Sequence, residues 1–196
     1  KAPEEPSTVL IIDEAGTFDV GTDYEEVIIN VPDVTIQKGS VNKIFVADTV
    51  GDGDVTLLNV TSNELELEGG GPNSITIAGT SNIKAIRVER TDGGIRVVVT
   101  DSSSVETVTV YKGSQDVTLE GKFDNLAIDA SNINISVKNA TMGTLSVSGE
   151  GTSITVDEKS TITTANFLPT ATKTTFTLNG SVEKLVVESK ESAIEV

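Results

Sequence analysis

The chain has 196 residues, 37% of them hydrophobic, which is enough for one substantial core and a single domain. It contains no His, Cys or Trp; that removes the usual general acid/base, the thiol nucleophile and the favoured zinc and copper ligands, so an enzyme would have to work on carboxylates. A formal charge of -16, from 30 acidic against 14 basic residues, opposes contact with nucleic acid or an anionic membrane, and no apolar run is long enough to insert into a bilayer.

The opening residues Lys1-Ala2-Pro3-Glu4-Glu5-Pro6 read as a Pro/Glu linker, so residues 1–8 are assigned to the linker remnant of a larger protein and 9–196 to one module. From Leu10 onward, apolar-x-apolar triplets recur. Their first residues, position A, are Leu10, Val27, Ile44, Leu65, Ile86, Val108, Leu126, Leu145, Ala165 and Leu185, 17 to 22 residues apart. Position B follows two residues later, from Ile12 to Val187.

A second triplet, C and D, gives Phe18/Val20, Val34/Ile36, Val55/Leu57, Ile75/Ile77, Ile95/Val97, Val117/Leu119, Ile133/Ile135, Ile154/Val156, Phe176/Leu178 and Ile194/Val196. A lone apolar residue E comes next, at Tyr24, Val41, Val60, Ile83, Val105, Phe123, Met142, Ile162 and Val182. The E-to-A step is three residues everywhere but at Val60, whereas the B-to-C step varies from five to nine. One corner is therefore rigid and the other variable.

Alternation within each triplet describes a strand with one buried face, and Val, Ile and Thr enrichment favours strand over helix. The expected fold is all-β: a single-domain, right-handed parallel β-helix of about ten coils, roughly 20 residues per coil, with coils about 4.8 Å apart. An antiparallel β-sandwich also has many short alternating strands, but it predicts neither the fixed three-residue step nor the column alignment. Two places are irregular. The connection Leu168 to Thr175 is long, so the coil should bulge there. Ile11, Ile28 and Phe45, which lie between A and B and should point outward, form an apolar strip that needs a cover: the N-terminal linker, a neighbouring domain or a second copy.

The variable corner gathers acids, among them Asp48, Asp52, Asp54, Glu68, Glu89, Asp129 and Glu150. Stacking brings like charges close together, and hard cations answer that repulsion. Asp48, Asp52 and Asp54 on one Gly-rich turn make a candidate Ca²⁺ site, against the alternative of a solvated acidic turn; the EF-hand pattern is missing. All three Arg lie in one coil, at Arg87, Arg90 and Arg96. Arg87 is expected to pair with Glu66 of the previous coil. Arg96 interrupts an outward row that includes Thr76 and Thr118. Glu89, Arg90, Tyr111 and Asp129 come from three consecutive coils at one corner beside that row.

A ring for the apolar face of a sugar, with a fork of donors and carboxylates for its hydroxyls, suits a polysaccharide. Glu89, Arg90, Tyr111, Asp129, Arg96, Thr76 and Thr118 are accordingly the candidate ligand-binding residues; an ordinary surface tyrosine and an exposed Thr strand face are the plain alternatives. Asn73-Ser74, on the flexible corner Gly69 to Ser74, is a candidate self-cleavage bond.

Gly-Ser-Val-Asn-Lys-Ile-Phe-Val at 39–46 is echoed by Gly-Ser-Val-Glu-Lys-Leu-Val-Val at 180–187. With these motifs and its columns, the chain resembles β-helical modules of surface-attached bacterial proteins, and most of all a family 54 carbohydrate-binding module. The resemblance implies a non-catalytic, extracellular module that holds a linked glycoside hydrolase or anchoring domain near insoluble polysaccharide (β-glucan, xylan or chitin), with Ca²⁺ as a candidate cofactor. The alternatives are a structural spacer or adhesin and, less readily, a β-helical polysaccharide lyase.

Overall fold

A computed structural model describes residues 8–22, 24–72 and 75–195. The linker residues 1–7, the Asn73-Ser74 bond and Val196 lie outside the described residues, as does any cover that the linker gives the apolar strip. The chain is a stack of parallel coils, a β-solenoid of about 9 turns with about 20 residues each. Every strand pairing is parallel, and consecutive coils are neighbours throughout.

The repeating columns form the core. Position A stacks as Leu10, Val27, Ile44, Leu65, Ile86, Val108, Leu126, Leu145, Ala165 and Leu185, and B keeps step with it from Ile12 to Val187. Most of these side chains are fully buried. Burial of each aliphatic side chain is worth about 1.5–3 kcal/mol, so the columns carry the fold. Phe167 and Phe176 are fully buried and pack on each other, ring centroids 5.1 Å apart. At the last coil Leu185 and Val187 are 40% and 41% exposed, because no described coil lies above them.

Three columns differ from expectation. The E position between Val41 and Ile83 is Ser62, not Val60, so the three-residue step holds there too. Ser62 is buried, and its hydroxyl is satisfied by the carbonyls of Glu64 (2.8 Å) and Asn42 (3.3 Å). In the coil before Ile154, the residues stacked on Val117 and Leu119 are Ile135 and Val137, rather than Ile133 and Ile135.

The third difference reaches along the whole face. Ile75 stacks on Val97 rather than on Ile95, while Ile95 stacks on Val117. The strand Ile95–Val99 therefore has three inward residues and hands the face over by two positions. Its two outward residues belong to different rows. Val98 continues Thr35, Thr56 and Thr76; Arg96 opens a new row through Thr118, Ser136, Thr155 and Thr177. Arg96 thus begins a row instead of interrupting one, and Thr76 and Thr118 do not share it.

The next coil, which takes up the new register, continues through Gly121 as one strand, Val117–Ile128. At Gly121 φ is +105° and a Cβ would lie 2.0 Å from the Val99 carbonyl oxygen; against the following coil the register slips here by one residue, Asn139 being the extra one. Only glycine fits at position 121.

On the outer face of the A-B sheet, Ile11 is 57% exposed, and Ile28 and Phe45 are half-buried. Lys43 lies over the Phe45 ring, 5.6 Å from its centroid, and ends 2.7 Å from Glu66. The bonds to Glu66 raise the lysine's pKa, so it stays charged over the ring.

Candidate functional site

Each residue that follows a B position donates its backbone N–H to the B carbonyl one coil back. These bonds span 2.8 to 3.0 Å and run through Asn30, Ala47, Glu68, Glu89, Tyr111, Asp129, Ser148, Leu168 and Glu188. The variable corner therefore starts on a regular ladder. Its side chains form one row along the solenoid, with rungs about 4.8 Å apart.

Over the middle of this row lies a shallow groove of about 710 Å³, lined by Arg87, Glu89, Tyr111, Lys112, Asp129, Ser131, Ser148, Gly149, Glu150 and Thr170. Glu89, Tyr111 and Asp129 come together there as consecutive rungs. Arg87 points outward from the coil below Tyr111, and its guanidinium covers the ring 4.4 Å from the centroid. Its Nη1 donates to the Tyr111 hydroxyl at 3.1 Å, and its Nε and Nη2 both donate to Glu89 Oε1, Nε at 3.0 Å. The bond to Glu89 raises the pKa of Arg87 further. Arg87 does not take Glu66 as the sequence pairing implies; Lys43 holds that carboxylate.

The other carboxylates of the groove also have partners. Ser148 donates to Asp129 Oδ1 at 2.6 Å, and Lys173 donates to Glu150 Oε1 at 2.7 Å. The bulge predicted at Leu168 to Thr175 supplies Thr170 as the far wall. Ser148 was legible by counting one residue past B. Arg87 was legible as an outward residue between A and B but was assigned to Glu66; Lys112 and Ser131 had no such signal.

Arg90 is the clearest correction. It is 3% exposed and turned under the corner, away from the groove. Its Nε donates to Asp92 Oδ1 at 3.1 Å, Nη2 to Asp52 Oδ1 at 2.7 Å, and Nη1 to the carbonyls of Gly51 (3.1 Å) and Gly70. One guanidinium thus fastens the turns of three successive coils. An arginine does this because its planar fork offers five donors: the Gly51 carbonyl already accepts the Gly70 N–H at 2.9 Å, while the Gly70 carbonyl has Arg90 as its donor.

Arg96 and Thr118 line a different cavity of about 330 Å³, together with Pro72, Gly94, Ile95, Asp116, Glu120 and Lys138. Arg96 forks onto Glu120, Nε to Oε1 and Nη2 to Oε2, each at 2.7 Å. This bond holds the Glu120 carboxyl below its ordinary range. Thr76 stands in the earlier row and lines neither cavity.

The proposed calcium turn does not assemble as a donor set. Asp52 Oδ1 is taken by Arg90, and Asp48 begins a short 3-10 turn, Asp48–Val50, that faces another groove with Glu68, Glu89, Thr91 and Asp92. Burial, then the nearby Glu66, Asp48 and Glu89 charges, push the Glu68 carboxyl up. Among the described residues no three His, Cys, Asp or Glu side chains come together as a metal-holding group.

No family model, curated protein or solved structure matches the chain.

Proposed function

We propose that this is a non-catalytic, extracellular polysaccharide-binding module, and that it holds covalently linked catalytic or anchoring domains against an insoluble β-glucan, xylan or chitin. The observation that carries the reading is the Arg87-Glu89-Tyr111-Asp129 groove. It places an aromatic ring between two hydroxyl-accepting carboxylates on rungs whose spacing is close to the length of one β-linked pyranose unit. Guanidinium and ammonium groups from Arg87 and Lys112 supply the donors. Such a surface suits a neutral polymer, because the charge of -16 repels a uronate chain.

Binding without catalysis is favoured by the state of the carboxylates. Glu89, Asp129 and Glu150 are each engaged by a cation or a hydroxyl, which prepares them to accept hydrogen bonds rather than to deliver a proton to a leaving group. The test is a pull-down of the isolated module with insoluble glucan, xylan and chitin. Retention on at least one is expected. Retention on none would leave the spacer or adhesin reading, and release of soluble sugar from any would make the module an enzyme.

A further inference from the structure

Asn179 is the one asparagine of the chain followed by glycine. It is exposed, and it lines a cavity of about 620 Å³ with Asn139, Asp157, Glu158 and Lys159, so water reaches it. We propose that Asn179-Gly180 is a self-modification site, converting in the folded protein to aspartate and isoaspartate through a cyclic imide.

The corner leaves both reacting groups free. Asn179 donates its own N–H to the Val156 carbonyl at 2.9 Å, and Ser181 donates to Ser160 at 3.1 Å, so the residues on each side of the Gly180 N–H are pinned. The Gly180 N–H itself has no acceptor among the described residues, and the Asn179 carboxamide has no hydrogen-bond partner there. The Gly180 nitrogen loses its proton and attacks Asn179 Cγ. A C–N bond forms, the Cγ–NH₂ bond breaks and ammonia leaves. Water then opens the five-membered ring at either carbonyl, giving aspartate or isoaspartate. One ammonia is lost and one water gained, with no other reactant.

The glycine is fixed by packing. A Cβ at Gly180 would lie 2.4 Å from the carbonyl oxygens of both Asp157 and Ser160, so no larger residue can shield the pair. The other asparagines among the described residues precede a residue with a side chain, which hinders attack by its nitrogen. The chemically similar Asp52-Gly53 and Asp92-Gly93 pairs are guarded differently: Arg90 holds both carboxylates, and the Gly53 N–H donates to Val50 at 3.1 Å. An ionised, hydrogen-bonded carboxylate is a poor electrophile.

Isoaspartate would add one carbon to the main chain where it enters the strand Ser181–Val187, and so would loosen the pairing of the final coil with Thr161–Phe167. The test incubates the native chain in mildly alkaline buffer beside a sample in urea and beside N179Q, whose longer side chain closes the ring far more slowly. Each sample is then digested and its peptides weighed. The expected result is loss of the unmodified Asn179 peptide from the folded wild type, through an intermediate lighter by one ammonia, with the same peptide intact in N179Q. Conversion in urea but not in the folded protein would overturn the proposal, as would earlier conversion of any other described asparagine.

Discussion

Arg90 and Asp52 are separated by 38 positions, yet Nη2 of the arginine lies 2.7 Å from Oδ1 of the aspartate. The pair is asymmetric, since the arginine side chain is 3% exposed and the aspartate 72%. Arg90→Met should cost about 3 kcal/mol, because it strands the Gly70 carbonyl inside the corner and removes the second donor of the Gly51 carbonyl. Asp52→Asn should cost under about 1 kcal/mol, as expected for an exposed partner. Urea unfolding of both variants checks this ordering, and equal losses would mean that the ion pair rather than the carbonyls is the fastening.

Glu68 and Glu120 should give opposite pH signatures. The folded-state pKa of Glu68 is raised above 4.5, so the native state holds that proton more tightly than the unfolded chain does, and stability falls as pH rises from 4.5 through the raised value. Glu68→Gln should therefore raise the melting temperature at neutral pH, and the gain should vanish in acid. Glu120 is depressed below 4.5 by Arg96; its stabilisation is present above 4.5 and lost as pH falls through the lowered value. Glu120→Gln should lower the neutral-pH melting temperature and flatten that acid limb. Melts across a pH series read both.

Two buried serines should respond unequally. Ser160 accepts the Ala140 N–H at 3.0 Å, and Ser160→Ala leaves that buried donor orphaned, at a cost of about 2 kcal/mol. Ser62 only donates, to carbonyls, and sits between Val41 and Ile83 in an aliphatic column. Ser62→Val should change stability by less than about 1 kcal/mol, since an under-used carbonyl is tolerated better than an orphaned N–H. Denaturant midpoints of the two variants compare them directly.

The two cavities flanking the corner can be separated by substitution. Tyr111→Ala should weaken retention on whichever polysaccharide binds by about tenfold, the loss of one stacking platform. Arg96→Ala should leave retention unchanged. If Arg96 matters and Tyr111 does not, binding belongs to the row that begins at Arg96.

Chelation should not shift the melting temperature, because Arg90 already supplies the cation that Asp52 faces. A calcium-dependent rise would mean that the acidic turn at 48–54 rearranges to take the ion.

The A and B columns were legible because stacked aliphatics leave a period that nothing else in a chain imitates. Finer register was not. Ile95, Val97 and Val99 are all inward, as are Ile133, Ile135 and Val137, and alternation alone cannot choose two of three equivalent residues. Val60 was preferred to Ser62 because a buried hydroxyl looks like a surface residue until its acceptors are known. Glu89, Tyr111 and Asp129 were found by counting from B, whereas Arg90, one residue further on, points the other way. Its direction is set by the Gly51 and Gly70 carbonyls, and those are contributed by other coils.

The handover at Ile95–Val99 shifts the face by two residues and keeps Ile95, Val97 and Val99 inside; a shift of one would have turned the whole face outward. Within the flat inward face a stacking fault is thus held to an even step, whereas the one-residue slip at Glu120/Gly121 lies past that face. The same parity rule bears on how such a chain can grow or shrink. A coil copied within either block meets neighbours in its own register and extends the corner row by one rung. A copy that spans the handover brings in a second offset of two residues. Length is free to vary on both sides of the seam, while the seam itself is inherited whole.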